Sequence, residues 1–356
     1  MTKCINKIQT IFLLFASMFA VLPLTARAAD TGLQPGTSIP AFTLKDQDGK
    51  AQTLQSLAGP NGLLLLFSRS ADWCGLCKSQ LIDLETARHA FEAKGIHVAS
   101  VTYDSPEVLK AFATRRDIHF MLLSDPDSGT INAFGVRNPE ETGYKTGVAI
   151  PNYYLISPDG VIRNRFVEGP SQQRTTASYL FEAVFGPGTA RPSSASTVPD
   201  TPRLKVVLGQ SDDSVPLGAK AQLTVKLEPG KDEHLYAPGA EAFGYHPILL
   251  TLDPSGLYQT NPAVYGKSTI IEFATLKEKV PVFESATQIT EDIWAAGGQK
   301  NNALFIENPQ LTVHGILEYQ VCNKTTCFAP EKQSVSWTLH IVQFDRVRVA
   351  EELQRK

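Results

Sequence analysis

Cysteine is scarce in this chain, with five among 356 residues. Cys4 sits in a short basic start, and the other four fall into two close pairs, Cys74/Cys77 and Cys322/Cys327. Charge of one sign is also missing: 33 Lys and Arg stand against 36 Asp and Glu, for a formal net charge of −3. No basic cluster is present, which argues against nucleic acid as a partner. No Gly-x-Gly-x-x-Gly stretch occurs, so no cofactor is expected and reducing power has to come from outside the chain. Neither a second Cys-x-x-Cys nor a His-x-x-x-His completes a zinc set around Cys74 and Cys77. After residue 24 no apolar run approaches the length that crosses a membrane.

Residues 1–28 read as a secretory signal. Lys3 and Lys7 supply the basic start, Ile11 to Leu24 the apolar core, and Ala26-Arg27-Ala28 a small-x-small cleavage site. The core is short and contains Pro23, so an uncleaved anchor is the weaker alternative. Cleavage would remove three basic residues and leave a net charge of about −6. The mature chain is expected to be exported, soluble and long enough for two domains. An oxidising compartment such as the periplasm then favours pairing within each close cysteine pair.

Leu63-Leu64-Leu65-Leu66-Phe67 is an apolar run of buried-strand length, and Leu81, Leu84, Ala87 and Phe91 follow at helical spacing. Cys74-Gly75-Leu76-Cys77 therefore sits where a strand hands over to a helix. Backbone N–H groups and the positive end of the helix dipole favour a thiolate there, and only the thiolate attacks disulfides or peroxides. Cys74 is the expected nucleophile, and Cys77, one turn on, is placed to resolve the mixed disulfide. Two alternatives remain. The pair could be half of a zinc site, or a structural staple, although a three-residue step closes almost no loop.

Around this motif, Ile96 to Val101 and His119 to Leu123 read as strands, with a helix opened by Ser105-Pro106 between them. Ile150 to Ile156 and Val161 to Phe166 form a hairpin across Ser157-Pro158-Asp159-Gly160, and Tyr179 to Phe185 is a closing helix. The alternation is that of an α/β domain over residues 35–186, with a thioredoxin-like arrangement. Ala41-Phe42-Thr43-Leu44, Asp48-Gly49, Ser70-Ala71-Asp72-Trp73-Cys74-Gly75-Leu76-Cys77 and Tyr154-Leu155-Ile156-Ser157-Pro158-Asp159-Gly160 resemble the AhpC/TSA redoxins of the thioredoxin superfamily. The resemblance implies that the Ile150-Pro151 peptide is cis, faces the redox pair and leaves backbone free to bind an extended substrate. An ordinary proline at a strand's first residue is the competing reading. Trp73 is expected to pack and to shield one side of the motif; for Lys78, electrostatic support of the thiolate is weighed against a solvated lysine, and the solvated reading is preferred. His89, His97 and His119 read as satisfied surface or core histidines.

The chain departs from its relatives in instructive places. Thioredoxin carries a buried acid on the strand before the motif, whereas this strand ends at Phe67-Ser68. Peroxiredoxins hold peroxide with Pro-x-x-x-Thr-x-x-Cys, and here those places hold Phe67 and Ala71, with Ser70 one position off. These departures weaken a peroxidase reading against disulfide exchange.

Residues 187–202, rich in Pro, Ser, Thr and Ala, read as a stiff, solvated linker that allows relative domain motion. In residues 203–345 helical periodicity nearly vanishes, and alternating runs such as Ala221 to Leu227, Ile316 to Val321 and Val335 to Val342 point to an all-β immunoglobulin-like sandwich. Cys322 and Cys327 flank a four-residue turn, which suits a hairpin staple equally well on physical grounds. Tyr319-Gln320-x-Cys322-x4-Cys327-x2-Pro330 is similar to the amino-terminal periplasmic domain of DsbD, a transmembrane thiol–disulfide interchange reductase. That similarity implies a second redox dithiol with Cys327 as the more exposed sulfur and Cys322 its partner, fed by a membrane-embedded thiol reductase and serving periplasmic protein thiols and disulfides. Tyr236 and Phe283-Glu284 are candidates for a shielding cap. The expected function is thiol–disulfide exchange between the two dithiols within one tethered chain. A thiol peroxidase and a binding module with structural disulfides are the alternatives.

Overall fold

A computed structural model describes residues 32–168, 173–186, 191–192, 198, 203–273 and 277–356. The signal stretch, Cys4 and most of residues 187–202 lie outside these. Among the described residues no helix is long and apolar enough to cross a membrane.

The first half is built on a seven-stranded sheet. Its strands are β1 (Leu44–Asp46), β2 (Ala51–Gln52), β3 (Gly62–Phe67), β4 (Ile96–Thr102), β5 (Met121–Ser124), β6 (Asn152–Ile156) and β7 (Ile162–Val167), in spatial order β2-β1-β5-β4-β3-β6-β7. Strands β3, β4 and β5 are parallel, and β6 and β7 return antiparallel as the hairpin expected from sequence. Strand β3 sits inside the sheet because every residue from Leu63 to Phe67 is apolar and fully buried. Its side chains alternate: Leu63, Leu65 and Phe67 enter one core with Phe134 and Tyr154, while Leu64 and Leu66 enter the other. That second core is closed by α2 (Gly75–Ala93), α3 (Pro106–Arg116) and α5 (Ala177–Phe185). Two short helices, α1 (Leu54–Leu57) and α4 (Gly129–Ala133), cover the opposite face. Gly62, which opens β3 at φ +125°, would drive a Cβ to 2.1 Å from the Ile156 carbonyl oxygen, so only glycine starts this strand.

The second half is an all-β sandwich. A short β8 (Arg174–Thr175) and β9 (Arg191–Pro192) lead into β10 (Leu204–Gln210), β11 (Ser214–Pro216), β12 (Ala219–Pro229), β13 (Glu233–Tyr236), β14 (Leu249–Leu252), β15 (Tyr258–Thr260), β16 (Val264–Tyr265), β17 (Thr269–Phe273), β18 (Glu278–Phe283), β19 (Thr287–Ala295), β20 (Gln310–Tyr319), β21 (Val321–Asn323) and β22 (Glu331–Val342). One sheet runs β15-β19-β12-β10-β9, a second β11-β22-β20-β14, and a third β17-β18-β13-β21. The first two enclose a core centred on the fully buried Trp337, whose indole nitrogen donates to the Gly209 carbonyl across the sandwich at 3.0 Å. The α6 helix (Gln299–Glu307) interrupts the β pattern and buries only Phe305.

The halves are stitched together rather than merely tethered. Arg174–Thr175 pairs in parallel with Ala219–Lys220 of the sandwich. Nearby, Asp83 accepts from the Ala177 N–H at 2.6 Å, and Asp212 accepts from the Thr176 hydroxyl at 2.6 Å. Burial, with Asp212 beside it, pushes the Asp83 carboxyl up to about 7.

Candidate active site

The Cys74–Cys77 pair is a disulfide with Cα atoms 5.2 Å apart. Cys74 is the N-cap of the nineteen-residue α2, and its sulfur accepts the Cys77 N–H at 3.2 Å. The helix starts here because Cys74 has extended backbone and Gly75, Leu76 and Cys77 enter the first turn without a side-chain competitor for their N–H groups. The same N–H that meets the disulfide sulfur would meet a thiolate, and the dipole of α2 adds to it. The sulfur positions expected from sequence thus come together at a helix N-terminus.

The loop before Cys74 is pinned by an acid that sequence reading missed. Asp104, two residues past β4, is buried and accepts from Ala71 N–H at 2.7 Å, Ser70 Oγ at 2.9 Å and Thr102 Oγ1 at 3.0 Å. Burial pushes its carboxyl up to about 6 against these hydrogen bonds. Ser70 in turn accepts from the Asp72 and Trp73 N–H groups. Its hydroxyl is therefore consumed by the loop and is not turned toward the sulfur as a peroxide ligand. Trp73 does flank the motif: its indole nitrogen donates to Tyr103 Oη at 2.8 Å, Tyr144 stands edge-on, and Arg69 and Lys145 lie over its faces.

Two expectations for this region are corrected. The Ile150–Pro151 peptide is trans, as are all peptides described. The Ile150 N–H donates to the Val136 carbonyl, its own carbonyl accepts from Asn152 Nδ2, and the Pro151 carbonyl accepts the Glu168 N–H. These backbone groups already have partners inside the protein, so Ile150 and Pro151 offer no free edge to a substrate. Lys78 is not solvated but 1% exposed, with Nζ 2.7 Å from the Val347 carbonyl and 3.7 Å from Asp345. Burial lowers its pKa, and Asp345 opposes that. The histidines behave as expected: His97 meets the Leu57 carbonyl, and His89 and His119 pair with Glu92 and Glu85. No cluster of metal-ligating side chains occurs among the described residues.

The second pair, Cys322–Cys327, is also a disulfide, with Cα atoms 4.1 Å apart. Cys322 lies on β21 and is fully buried against Tyr236, Val280 and Val282, whereas Cys327 is exposed. Asn323 builds the turn between them, its side chain accepting from the Thr325 and Thr326 N–H groups. Tyr236 Oη is 3.4 Å from Cys327 Sγ, and its ring stacks on Tyr245 at 4.4 Å. Burial pushes the Tyr236 hydroxyl up to about 12, so it stays protonated and able to donate to a Cys327 thiolate. Phe283, by contrast, points into the sandwich core, the opposite face from its neighbour Val282, and is no cap.

The two pairs do not meet. Cys327 lies just before β22 and the residues that touch the Cys74 motif lie just after it. Twelve strand residues span roughly 35 Å, so exchange between the dithiols inside one chain does not occur in this arrangement.

Comparison with known proteins agrees with the first half. Residues 35–165 match the AhpC/TSA family. A putative peroxiredoxin of Mycobacterium tuberculosis is 31% identical over 153 residues, which is 43% of this chain and 89% of that protein. Peroxiredoxin Bcp of Escherichia coli is 33% identical over 135 residues, covering 38% of this chain and 85% of the relative. Among solved structures, Enterococcus faecalis AhpC aligns with a TM-score of 0.37 at 21% identity, over 44% of this chain and 98% of that one. The match stops ahead of the sandwich, but the thioredoxin-like half is covered almost completely. The chain belongs to the AhpC/TSA family, as a thiol oxidoreductase.

Proposed function

We propose that this is an exported, periplasmic thiol–disulfide oxidoreductase that acts on protein partners through Cys74. The Cys74 thiolate attacks a partner disulfide; that bond breaks, a mixed disulfide forms, and the released partner thiolate takes a proton. The Cys77 thiolate then attacks Cys74 Sγ, closing the Cys74–Cys77 disulfide and releasing the second partner sulfur as a thiol. Two electrons and two protons pass to the partner, and a membrane-embedded dithiol reductase restores the pair. Cys322/Cys327, in a DsbD-like sandwich, is a second dithiol, and the span along β22 makes its exchange with Cys74/Cys77 a reaction between molecules. The observation that carries the reading is the Cys74 sulfur on the first turn of α2, with Cys77 N–H at 3.2 Å and its partner thiol one turn on.

A peroxidase reading is supported by the relatives at 31% and 33% identity, both of which are named peroxiredoxins. Against it stand Ala71, which has no hydroxyl, and Ser70, whose hydroxyl is taken by Asp104. Trapping separates the two. The Cys77→Ser variant, expressed with its native export signal, is expected to accumulate mixed disulfides through Cys74 that disappear on reduction. A folded variant that consumes peroxide and traps no protein would replace the exchange reading with the peroxidase one.

A further inference from the structure

Residues 344–355 pack against the segment that carries the redox pair. Cys74 is 3% exposed and Cys77 fully buried, although both sit at a helix N-terminus that an attacking disulfide must reach. Phe344 lies on Gly75, so close that a Cβ added to Gly75 would fall 3.1 Å from it, and Gly218 packs equally tightly on Leu76. From Phe344 the chain runs past the site without regular structure as far as Ala350, and then makes one 3-10 turn, Glu351–Leu353. Asp345 binds Arg115 and Arg116 at 2.7 Å each and faces the buried Lys78 at 3.7 Å. Three residues later Arg348 grips Asp72 with two nitrogens, at 2.8 and 2.6 Å, and the Val349 N–H donates to the same carboxylate at 2.9 Å. Arg355 closes the far end, stacked 4.4 Å over Tyr103 and donating to the Pro126 carbonyl at 3.0 Å.

These contacts have the form of a bound peptide rather than of a folded element. Between Phe344 and Ala350 the strap has no regular structure, the Val349 N–H and the Val347 carbonyl are taken by Asp72 and Lys78, and its charged side chains meet opposite charges. Asp72 is 3% exposed and immediately precedes Trp73-Cys74, so its partner sits beside the nucleophile. Lys78 is one turn along the same helix. The Cys74 face thus offers a carboxylate on one side and three cations on the other, a pattern that a peptide with an acid and an arginine at i and i+3 satisfies.

We propose that this face is the protein-docking surface of the Cys74 site, that residues 344–355 occupy it in cis, and that the partner which displaces them presents an extended segment of the same acid-then-arginine chemistry. The proposal rests on the exchange reading for Cys74, but its test needs only a reactive thiol. The full-length, reduced Cys322→Ser/Cys327→Ser protein is labelled with a polymer-bearing maleimide, and modification of Cys74 is read by mass spectrometry. Arg348→Glu is expected to raise the Cys74 labelling rate about tenfold or more, because it sets two carboxylates against each other beside the nucleophile. In the parent protein, molar salt is expected to raise the rate too, since Arg348, Arg115 and Arg116 are 41%, 31% and 38% exposed and their pairs are open to screening. A synthetic peptide of residues 343–356 is expected to slow labelling of the Arg348→Glu variant, and one with Asp345 and Arg348 exchanged to have no effect.

A labelling rate unchanged by Arg348→Glu, in a variant that melts like the parent, overturns the strap. Should that variant fail to fold, a rate in the parent that ignores salt overturns it instead. Fast labelling that neither peptide slows overturns the docking of a partner segment in the same mode. If labelling follows expectation while Cys77→Ser traps nothing, the exchange reading falls and the strap stands.

Discussion

Cys74→Ser is expected to reduce protein-disulfide exchange on the order of a thousandfold, to the background of free thiols in solution. The step that fails is the first one: Cys77, fully buried in the first turn of α2, cannot take the place of the N-cap sulfur. Cys77→Ser is expected to behave differently, completing the first attack and stalling at the mixed disulfide. The two variants together assign attack and resolution, which a single loss of activity would not. Turnover of a dithiol-coupled protein substrate by both variants, in the Cys322→Ser/Cys327→Ser background, checks this. Equal rates for Cys74→Ser and the parent would remove the nucleophile from Cys74.

The second large effect concerns stability. Asp345→Ala leaves Lys78 as a charge with 1% exposure, without its nearest carboxylate and with only the Val347 carbonyl and the more distant Asp72 to compensate it, and breaking one side of a buried pair costs about 3–5 kcal/mol. The bonds to Arg115 and Arg116 add little, because both guanidiniums reach solvent. For a chain of this size the loss corresponds to a fall of roughly 4–7 °C in Tm, read by calorimetry. Burial alone would raise the Asp345 carboxyl, but the bonds from Arg116, Arg115 and the Val347 N–H, with Lys78 nearby, hold it well below the usual carboxylate range. A carboxylate depressed in the folded state contributes its stability above its ordinary value near 4 and loses it as pH falls through the folded one. The difference between Asp345→Ala and the parent is thus expected to be constant from neutral pH down to about 4 and to shrink only in stronger acid. A Tm within a degree of the parent's at neutral pH would mean that Lys78 finds another partner.

Much of the site was legible because its determinants are local. The all-apolar Leu63–Phe67, the cysteines three apart and the helical spacing of Leu81, Leu84 and Phe91 lie within thirty residues, and the fold uses each as expected. What was missed depends on long-range contacts. Lys78 looks like any lysine on an amphipathic helix; only Asp345, 267 positions later and brought alongside by β22, explains its burial. Asp104 reads as a residue just past a strand, and only the return of the Ser70–Asp72 loop onto β4 makes it the pin of the motif. The Ile150–Pro151 expectation failed for a related reason. The family pattern supplied a conformation, whereas Val136, Asn152 and Glu168 supply the hydrogen bonds that hold a trans peptide with its backbone engaged. The sandwich was readable from strict alternation, as in Ala221 to Leu227. The α6 helix escaped because a helix that buries one phenylalanine leaves almost no apolar period. Tethering had suggested an internal relay, since composition alone carries no distance, and the length of β22 now separates the two dithiols.

The claim beneath all of this is that Cys74 ionises easily because α2 begins at its sulfur. Ultraviolet thiolate absorbance, followed against pH in the reduced Cys322→Ser/Cys327→Ser protein, measures it without any reagent having to pass the strap. The account predicts a first titration step about one unit or more below the 8.5 of an ordinary thiol, absent in Cys74→Ser. A first step at or above 8.5 would contradict it.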